Sequence, residues 1–315
     1  METIYLNREE TASLPPSVAT LGFFDGVHRG HQALIAQVIS LAQATGLASM
    51  VVTFDRHPRQ VLHQNYQPEL LTTLDMKLQR LAETGVDRVV VVHFDTLLAS
   101  LSAHDFMQNI LLEQLCVKKL IIGYDNRFGH NRAEGFDDYV GYGQQLGIEV
   151  IHGEAFSLDD VQVSSSVVRA FLKEGEIAMA NRCLGYEYTL GGRIVDGVKQ
   201  GRKMGYPTAN LDTKDFGQLI PANGVYAVRV GLKGYDKLLP AMTDVGTRPT
   251  FGDNQLTIET FIFNFHEDIY GQPMHLSFVR RVRDDLKFDN VNQLVTQLKE
   301  DERMIEKIFK KDNNE

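Results

Sequence analysis

The sequence predicts two modules: an α/β module on a parallel sheet, then a small β-barrel followed by a C-terminal helix. Three observations carry this. The 315 residues are about twice an average domain. Up to about residue 184, short apolar runs alternate with segments of helical periodicity. Beyond it, short β-rich runs follow one another, separated by Gly, Pro, Asn and Asp.

Residues 17–23 read as a strand, and 31–44 as a helix with Leu34, Ile35, Val38 and Leu41 on one face. The next strand is 49–54. Within 87–94, four consecutive valines from Val89 predict a strand buried on both faces. Ser102, with Asp105 three residues on, opens a helix over 102–115. Strands at 119–124 and 149–152 flank a helical stretch at 138–146. This alternation gives a parallel sheet wrapped by helices. Such sheets bind ligands beyond the carboxyl ends of their strands.

The runs at 188–195, 225–230, 238–245, 257–263 and 275–278 suggest a closed barrel of five or six strands. Residues 291–310 repeat Val291, Leu294, Leu298, Met304, Ile305 and Ile308 at helical spacing, so this helix is expected to pack on the barrel. Gly175 and Gly185 punctuate a helical stretch between the halves. The expected modules are therefore 1–184 and 185–315.

Composition excludes several function classes. Lys and Arg number 32 against 41 Asp and Glu, a net charge of −9. No basic excess exists to displace counterions from nucleic acid. An apolar share of 43% is too high for a disordered chain. No apolar run approaches the roughly 20 residues that span a bilayer. The start, METIYLNREE, lacks the plan of a signal peptide. Cys116 and Cys183 make neither a disulfide framework nor a metal knuckle. These features predict a reduced, cytoplasmic protein with no nucleic-acid and no membrane partner, and leave its oligomeric state open.

The first strand runs into Phe24-Asp25-Gly26-Val27-His28-Arg29-Gly30-His31. A strand, a Gly-rich turn and a helix start place free N–H groups at the ligand crevice. Gly26 and Gly30 allow backbone to approach a phosphate closely. His28 and His31 put two imidazoles beside it, and imidazolium N–H groups neutralise charge building on an attacked phosphate. Ser165 and Ser166 stand at an expected helix N-terminus, with Arg169 one turn on.

Residues 21–31 resemble the GxFDGxHxGH signature of bacterial FMN adenylyltransferases. Three more stretches resemble that family in order: Thr53-Phe54-Asp55-Arg56-His57-Pro58, Gly123-Tyr124-Asp125-Asn126-Arg127-Phe128-Gly129 and Val163-Ser164-Ser165-Ser166-Val167-Val168-Arg169. Asn126 stands where the family has Phe, and Ser166 where it has Thr. The resemblance implies a Rossmann-like nucleotidylyltransferase domain. It implies a nucleotide site using Gly22, Phe24, Asp25, Gly26, Gly30, Asp125, Asn126 and Arg127, with His28 and His31 catalytic. Ser165, Ser166 and Arg169 would contact ATP phosphates.

In the second half, Gly197, Gly201, Arg202 and Lys203 form a Gly-bearing basic loop suited to a triphosphate tail. Thr208 and Asn210 lie two apart in an extended segment, so their oxygens share one side. Mg²⁺ accepts such oxygens when phosphates and water complete its shell, although the same residues also suit a turn. Glu259 is an acid in an apolar β-rich stretch, which alternation also allows as an outward-facing carboxylate. Residues 195–210 resemble the riboflavin kinase pattern VxGxxxGRxxGxPTAN. Gly246-Thr247-Arg248-Pro249-Thr250-Phe251, the Glu259 run with Asp268-Ile269-Tyr270-Gly271, and Arg283-Asp284-Asp285-Leu286-Lys287-Phe288 resemble later elements of that family.

The chain thus resembles bifunctional bacterial FAD synthetases over about 15–312. The resemblance implies Mg²⁺ on Thr208 and Asn210, Glu259 as base toward the riboflavin 5′-hydroxyl, and Arg248 and Arg283 as further ligands. ATP, riboflavin, FMN and FAD would be substrates and products. Two other readings stand beside it: an adenylyltransferase whose barrel only binds flavin, and a non-catalytic flavin binder.

Overall fold

The computed structural model describes residues 1–6, 14–62, 67, 69–124, 126–197, 201, 204–247 and 256–312. The chain forms two compact units, one of Met1–Pro68 and Thr72–Ser164, the other of Glu69–Leu71 and Ser165–Glu315.

The first unit is built on six parallel strands: β1 (Glu2–Leu6), β2 (Ser17–Leu21), β3 (Ala48–Phe54), β4 (Arg88–Val92), β5 (Val117–Ile122) and β6 (Glu149–His152). Their order is β1-β4-β3-β2-β5-β6. The valines of β4 divide by alternation. Val90 and Val92 join a cluster with Leu21, Met50, Met107 and Leu111. Val89 and Val91 join another with Ile35, Val38, Val51 and Leu81. Both faces are therefore buried, as the valine run predicts.

Helix α1 (Arg29–Thr45) connects β2 to β3, α2 (Leu74–Glu83) precedes β4, and α3 (Phe136–Leu146) precedes β6. Between β4 and β5, Ser102 caps a helix that begins at Ala103, its hydroxyl accepting from Asp105 N at 3.0 Å. That helix runs through Ala103–Phe106 and continues with π-helical bonding over Met107–Leu112. Strand β1 and helix α2 are not apparent from the sequence pattern. β1 is an edge strand with Tyr5 exposed, so only one face needs apolar residues. A short hairpin of β7 (Ser157–Leu158) and β8 (Val161–Gln162) follows β6.

Strand order reverses at β2. The chain moves from β2 to β3 on one side, and β5 lies on the other. The carboxyl ends of β2 and β5 therefore open the crevice where such sheets take ligands.

The second unit is a closed barrel of β9 (Thr189–Val195), β10 (Ala209–Asp212), β11 (Gly224–Leu232), β12 (Leu239–Thr247), β13 (Leu256–Ile262) and β14 (Pro273–Arg283), ordered β10-β13-β12-β11-β14-β9. Every pairing is antiparallel. Buried Tyr226 and Phe278 meet edge-on at 5.2 Å, and the buried Thr243 and Thr260 hydroxyls pair at 2.6 Å.

Helices α4 (Ser165–Glu174) and α5 (Ile177–Leu184) belong to this unit. Asn181 explains the grouping: Nδ2 donates to Phe278 O and Oδ1 accepts from Tyr188 N, both at 2.8 Å. Ala222 N also donates to Leu172 O at 3.0 Å. The compact units thus divide at 164/165, whereas glycine punctuation alone suggests 184/185.

The C-terminal helix α6 (Val291–Asp312) buries Ile305 and Ile308 against Val225, Ala227, Met242 and Phe263. Asp301, only 1% exposed, receives the Arg283 guanidinium in a fork: Nε lies 3.1 and 3.0 Å from its oxygens and Nη2 lies 2.8 Å from Oδ2. Among the described residues, no helix is long and apolar enough to cross a membrane.

Removing one partner of a buried ion pair strands the other charge. Asp301→Ala should lower the unfolding free energy of the barrel unit by about 3 kcal/mol in urea titrations. A loss below about 1 kcal/mol would mean that this pair does not fasten the helix.

Candidate functional site

The first cluster lies at the carboxyl end of β2. Gly22 N extends the ladder to Val52 O at 3.0 Å. The chain then turns through left-handed backbone at Phe24 (φ 54°), Gly26 (φ 77°) and Val27 (φ 36°). Glycine adopts that region freely; a β-branched valine there is strained. Buried contacts hold the turn. Gly26 N donates to Thr72 Oγ1 at 3.1 Å, and Asp25 Oδ1 accepts from Thr72 N at 3.2 Å. Gln32 Nε2 donates to Val27 O at 2.8 Å.

His28 caps α1, its Nδ1 accepting from His31 N at 3.3 Å. The two rings stack with centroids 3.6 Å apart and planes 19° from parallel, and Phe24 meets His31 edge-on at 5.0 Å. Gly30 sits between them in the first turn, where an added Cβ would come 3.0 Å from Val163 O. His31 Nδ1 is buried without a hydrogen-bond partner in the described structure. Burial first, then the neighbouring His28 and Lys77, hold the His31 imidazole well below its ordinary pKa. An anion beside the His31 ring would act against this lowering, because an opposite charge favours the protonated form.

The loop after β5 closes the other side of the crevice. Asn126 Nδ2 donates to Leu21 O, the last carbonyl of β2, at 2.6 Å. Asn126 is thus a tie across the switch point. Arg127 is exposed, and its carbonyl accepts from Arg132 Nε at 3.1 Å. Asp125 lies outside the described residues. Beyond β3, His57 meets Phe23 edge-on at 4.8 Å, and its Nδ1 accepts from Arg59 N at 3.1 Å.

Sequence reasoning missed Lys77 and Thr72. Lys77 is 2% exposed, and its Nζ donates to Phe23 O at 3.1 Å, Thr53 Oγ1 at 3.1 Å and Phe54 O at 2.8 Å. Burial lowers its pKa to about 8, against the raising effect of Asp25 and Asp55. A signal existed: Lys77 lies four residues before Leu81, on the face of α2 that turns inward.

Ser165, Ser166 and Arg169 begin α4 in the second unit. Arg169 Nε donates to Glu69 O at 2.7 Å.

In the barrel, strand register gathers the second cluster. Asn210 on β10 stands opposite Glu259 on β13, and Glu259 stands opposite Asp244 on β12. Glu259 alternates with buried Thr260, so it faces away from the barrel interior. Thr208 reaches the same carboxylate, its Oγ1 donating to Glu259 Oε2 at 3.1 Å. A Cβ on Gly197 would overlap Asn210 Nδ2, so only glycine lets that amide lie where it does. Gly201 O accepts from Met204 N and Tyr206 N, both at 2.9 Å. A cavity of about 340 Å³ opens beside Thr208, lined also by Pro207, Thr260, Phe265, Asp268 and Tyr270.

Arg202, Lys203 and Arg248 lie outside the described residues. Arg283, expected to bind ligand, is instead fastened to Asp301, with Nη1 on Asp284 O at 2.9 Å. Its reassignment follows from charge: a buried carboxylate holds a guanidinium strongly. The oxygens of Thr208, Asn210 and Glu259 form a hard donor set that fits Mg²⁺.

Comparisons with known proteins divide the chain in the same order. Residues 10–167 match the family model described as FAD synthetase, and residues 184–309 that described as riboflavin kinase. A protein of Listeria monocytogenes named bifunctional riboflavin kinase/FMN adenylyltransferase is 37% identical, covering 99% of this chain and 99% of its own. Proteins of the same name from Escherichia coli K12 and Bacillus subtilis 168 are 35% and 32% identical, covering 93% and 95% of this chain and 92% and 93% of theirs. A Streptococcus pneumoniae crystal structure described as a macrolide-efflux protein superposes with a TM-score of 0.86 at 32% identity, over 97% of this chain and 99% of that one.

His31 also sets a pH dependence. Its folded pKa lies below the ordinary 6.5, so the unfolded chain binds more protons as pH falls through that value. Stability of the first unit should fall from pH 7 to 5, and fall less in His31→Phe. Equal slopes in urea titrations of the two proteins would show that His31 does not resist protonation.

Proposed function

The chain belongs to the bifunctional riboflavin kinase/FMN adenylyltransferase family, and we propose how its residues divide that work. The module matching riboflavin kinase transfers the γ-phosphate of ATP to riboflavin, giving FMN. The module matching FAD synthetase joins FMN to the adenylyl group of ATP, giving FAD and pyrophosphate. We take the division of labour to fall near residue 184, where the riboflavin kinase match begins. The absence of a basic excess, and two cysteines that form no disulfide among the described residues, support a cytoplasmic enzyme acting on small molecules.

In the kinase module, Glu259 takes the proton of the riboflavin 5′-hydroxyl as that oxygen bonds to the γ-phosphorus. The bond from that phosphorus to the bridging oxygen breaks, and ADP leaves. Thr208 orients the base: its hydroxyl holds Oε2 at 3.1 Å. Thr208 and Asn210 would hold Mg²⁺ beside that carboxylate, and the ion, when bound, would neutralise phosphate charge. Glycine at 197 keeps the Asn210 amide in place.

In the adenylyltransferase module, an FMN phosphate oxygen attacks the α-phosphorus of ATP, and pyrophosphate leaves. No covalent enzyme intermediate is needed; positioning and charge neutralisation suffice. His28 and His31 stand at the helix start facing the crevice, where their N–H groups meet charge developing on the α-phosphate. Gly22, Phe24, Asp25, Gly26 and Gly30 shape the turn that carries them. Asn126 and Arg127 belong to the opposite loop, and Asp125 joins them by the resemblance. Ser165, Ser166 and Arg169 are ATP phosphate ligands on the same basis, as are Arg202, Lys203 and Arg248 in the kinase module.

The stacked imidazoles at the switch point support this reading most directly, with His31 Nδ1 buried and without a hydrogen-bond partner among the described residues. His28→Ala or His31→Ala should lower FAD formation from FMN on the order of 10²-fold and spare FMN formation. Glu259→Gln should do the reverse. Chromatography of products from riboflavin or FMN with ATP and Mg²⁺ separates the two losses. Wild-type FAD formation in both histidine variants, or wild-type FMN formation in Glu259→Gln, would remove the corresponding assignment.

A further inference from the structure

The strained turn that carries His28 and His31 is held from beneath by one buried cation. Lys77 Nζ bonds to three acceptors, which lie just beyond β2 (Phe23 O) and at the end of β3 (Thr53 Oγ1 and Phe54 O). It also sits 4.2 Å over the Phe23 ring. Phe23 O is a shared point, because Thr53 Oγ1 donates to it as well, at 3.1 Å. The next residue, Phe24, is the first of the left-handed positions. Two residues after Phe23, Asp25 is buried and clamped by Thr72. The ammonium therefore fixes where the turn departs from the sheet, and the Thr72 clamp fixes where it goes.

We propose that Lys77 is a positioning residue of the adenylyltransferase site, its ammonium joining the ends of β2 and β3 so that the turn presents His28 and His31 to the crevice. This rests on the reading of that turn as the adenylyltransferase site. Chemistry favours this role over simple packing. A buried ammonium is costly unless fully bonded, and an apolar side chain would fill the same space without that cost. Three acceptors explain how the charge is tolerated, and two of them are main-chain carbonyls. The groups acting on it electrostatically are Asp25 from the turn, Asp55 from beyond β3 and His31 from α1. Two carboxylates face it, so the turn and its support attract each other.

The test compares Lys77→Met and Lys77→Arg with wild type and His28→Ala, in the full chain. In Lys77→Met, kcat for FMN adenylylation should fall on the order of 10²-fold, because small displacements of reacting groups cost that much. KM for ATP should change by less than about threefold, since bound substrate is not touched by Lys77. Riboflavin phosphorylation in the same sample should be unchanged, and Lys77→Arg, whose guanidinium still donates, should recover part of the lost kcat. The pH behaviour separates positioning from mere stabilisation. Lys77 falls from an ordinary 10.5 to about 8, so the unfolded chain binds more protons between these values. Through that window its contribution to the stability of the first unit rises with pH, while the adenylylation rate should fall as the ammonium is lost. Relative to wild type, Lys77→Met should lack both trends. A lysine that only stabilises would not separate rate from stability in this way.

A folded Lys77→Met with kcat within about threefold of wild type overturns the inference while leaving the site reading intact, provided His28→Ala is impaired. A silent His28→Ala overturns both. If Lys77→Met does not fold, Thr53→Val carries the test, because it removes one acceptor and one donor from the same junction. Its kcat should fall about fivefold with folding retained, and a kcat equal to wild type overturns the inference.

Discussion

Burial of β2 on both faces, with β3 on one side and β5 on the other, is the constraint on which the first site depends. A strand covered by helices on both faces cannot return beside itself, so its neighbours are reached by crossovers in opposite directions. The carboxyl ends of β2 and β5 are left without a connecting layer between them. Everything chemical in this unit gathers there. The turn after β2 supplies the imidazoles, the loop after β5 supplies the Asn126 tie, and the end of β3 supplies the carbonyl and hydroxyl that hold Lys77. Strain at Phe24 and Val27 is tolerated because each neighbouring group is already fixed by the sheet or by Thr72.

The barrel solves a different problem with register alone. Asn210, Glu259 and Asp244 stand opposite one another across three strands, and the buried hydroxyl pair of Thr243 and Thr260 lies one position away on the other face. A slip of one residue would exchange those faces, bury the carboxylates and expose the hydroxyls. Closure of the barrel and the α6 helix, fastened through Arg283 and Asp301, therefore protect the site by fixing register.

Much of this was legible in the sequence because its signals are local. Four valines announced a two-sided strand, and glycine and histidine spacing announced a tight turn between strand and helix before any neighbour was known. Thr208, Asn210 and Glu259 were named from pattern and meet in the barrel. What was not legible depends on partners far along the chain. Lys77 answers to residues 54 and 23 positions away, and nothing within its own helix shows them. Arg283 looked like a ligand because Asp301 lies 18 residues on, in a helix whose inward carboxylate is masked by a charged sequence. Helices α4 and α5 read as part of the α/β alternation, yet Asn181 fastens them to barrel backbone. Edge strand β1 escaped notice because an edge tolerates polar residues.

The central claim is that one chain makes two different phosphorus–oxygen bonds, each at its own cluster. The most direct measurement follows radiolabel from ATP into products made from riboflavin by the full chain with Mg²⁺. Label in the γ-position should enter FMN and remain in FAD, and label in the α-position should enter FAD but never FMN. Label from the α-position in FMN, or an absence of γ-label from both flavins, would contradict the account.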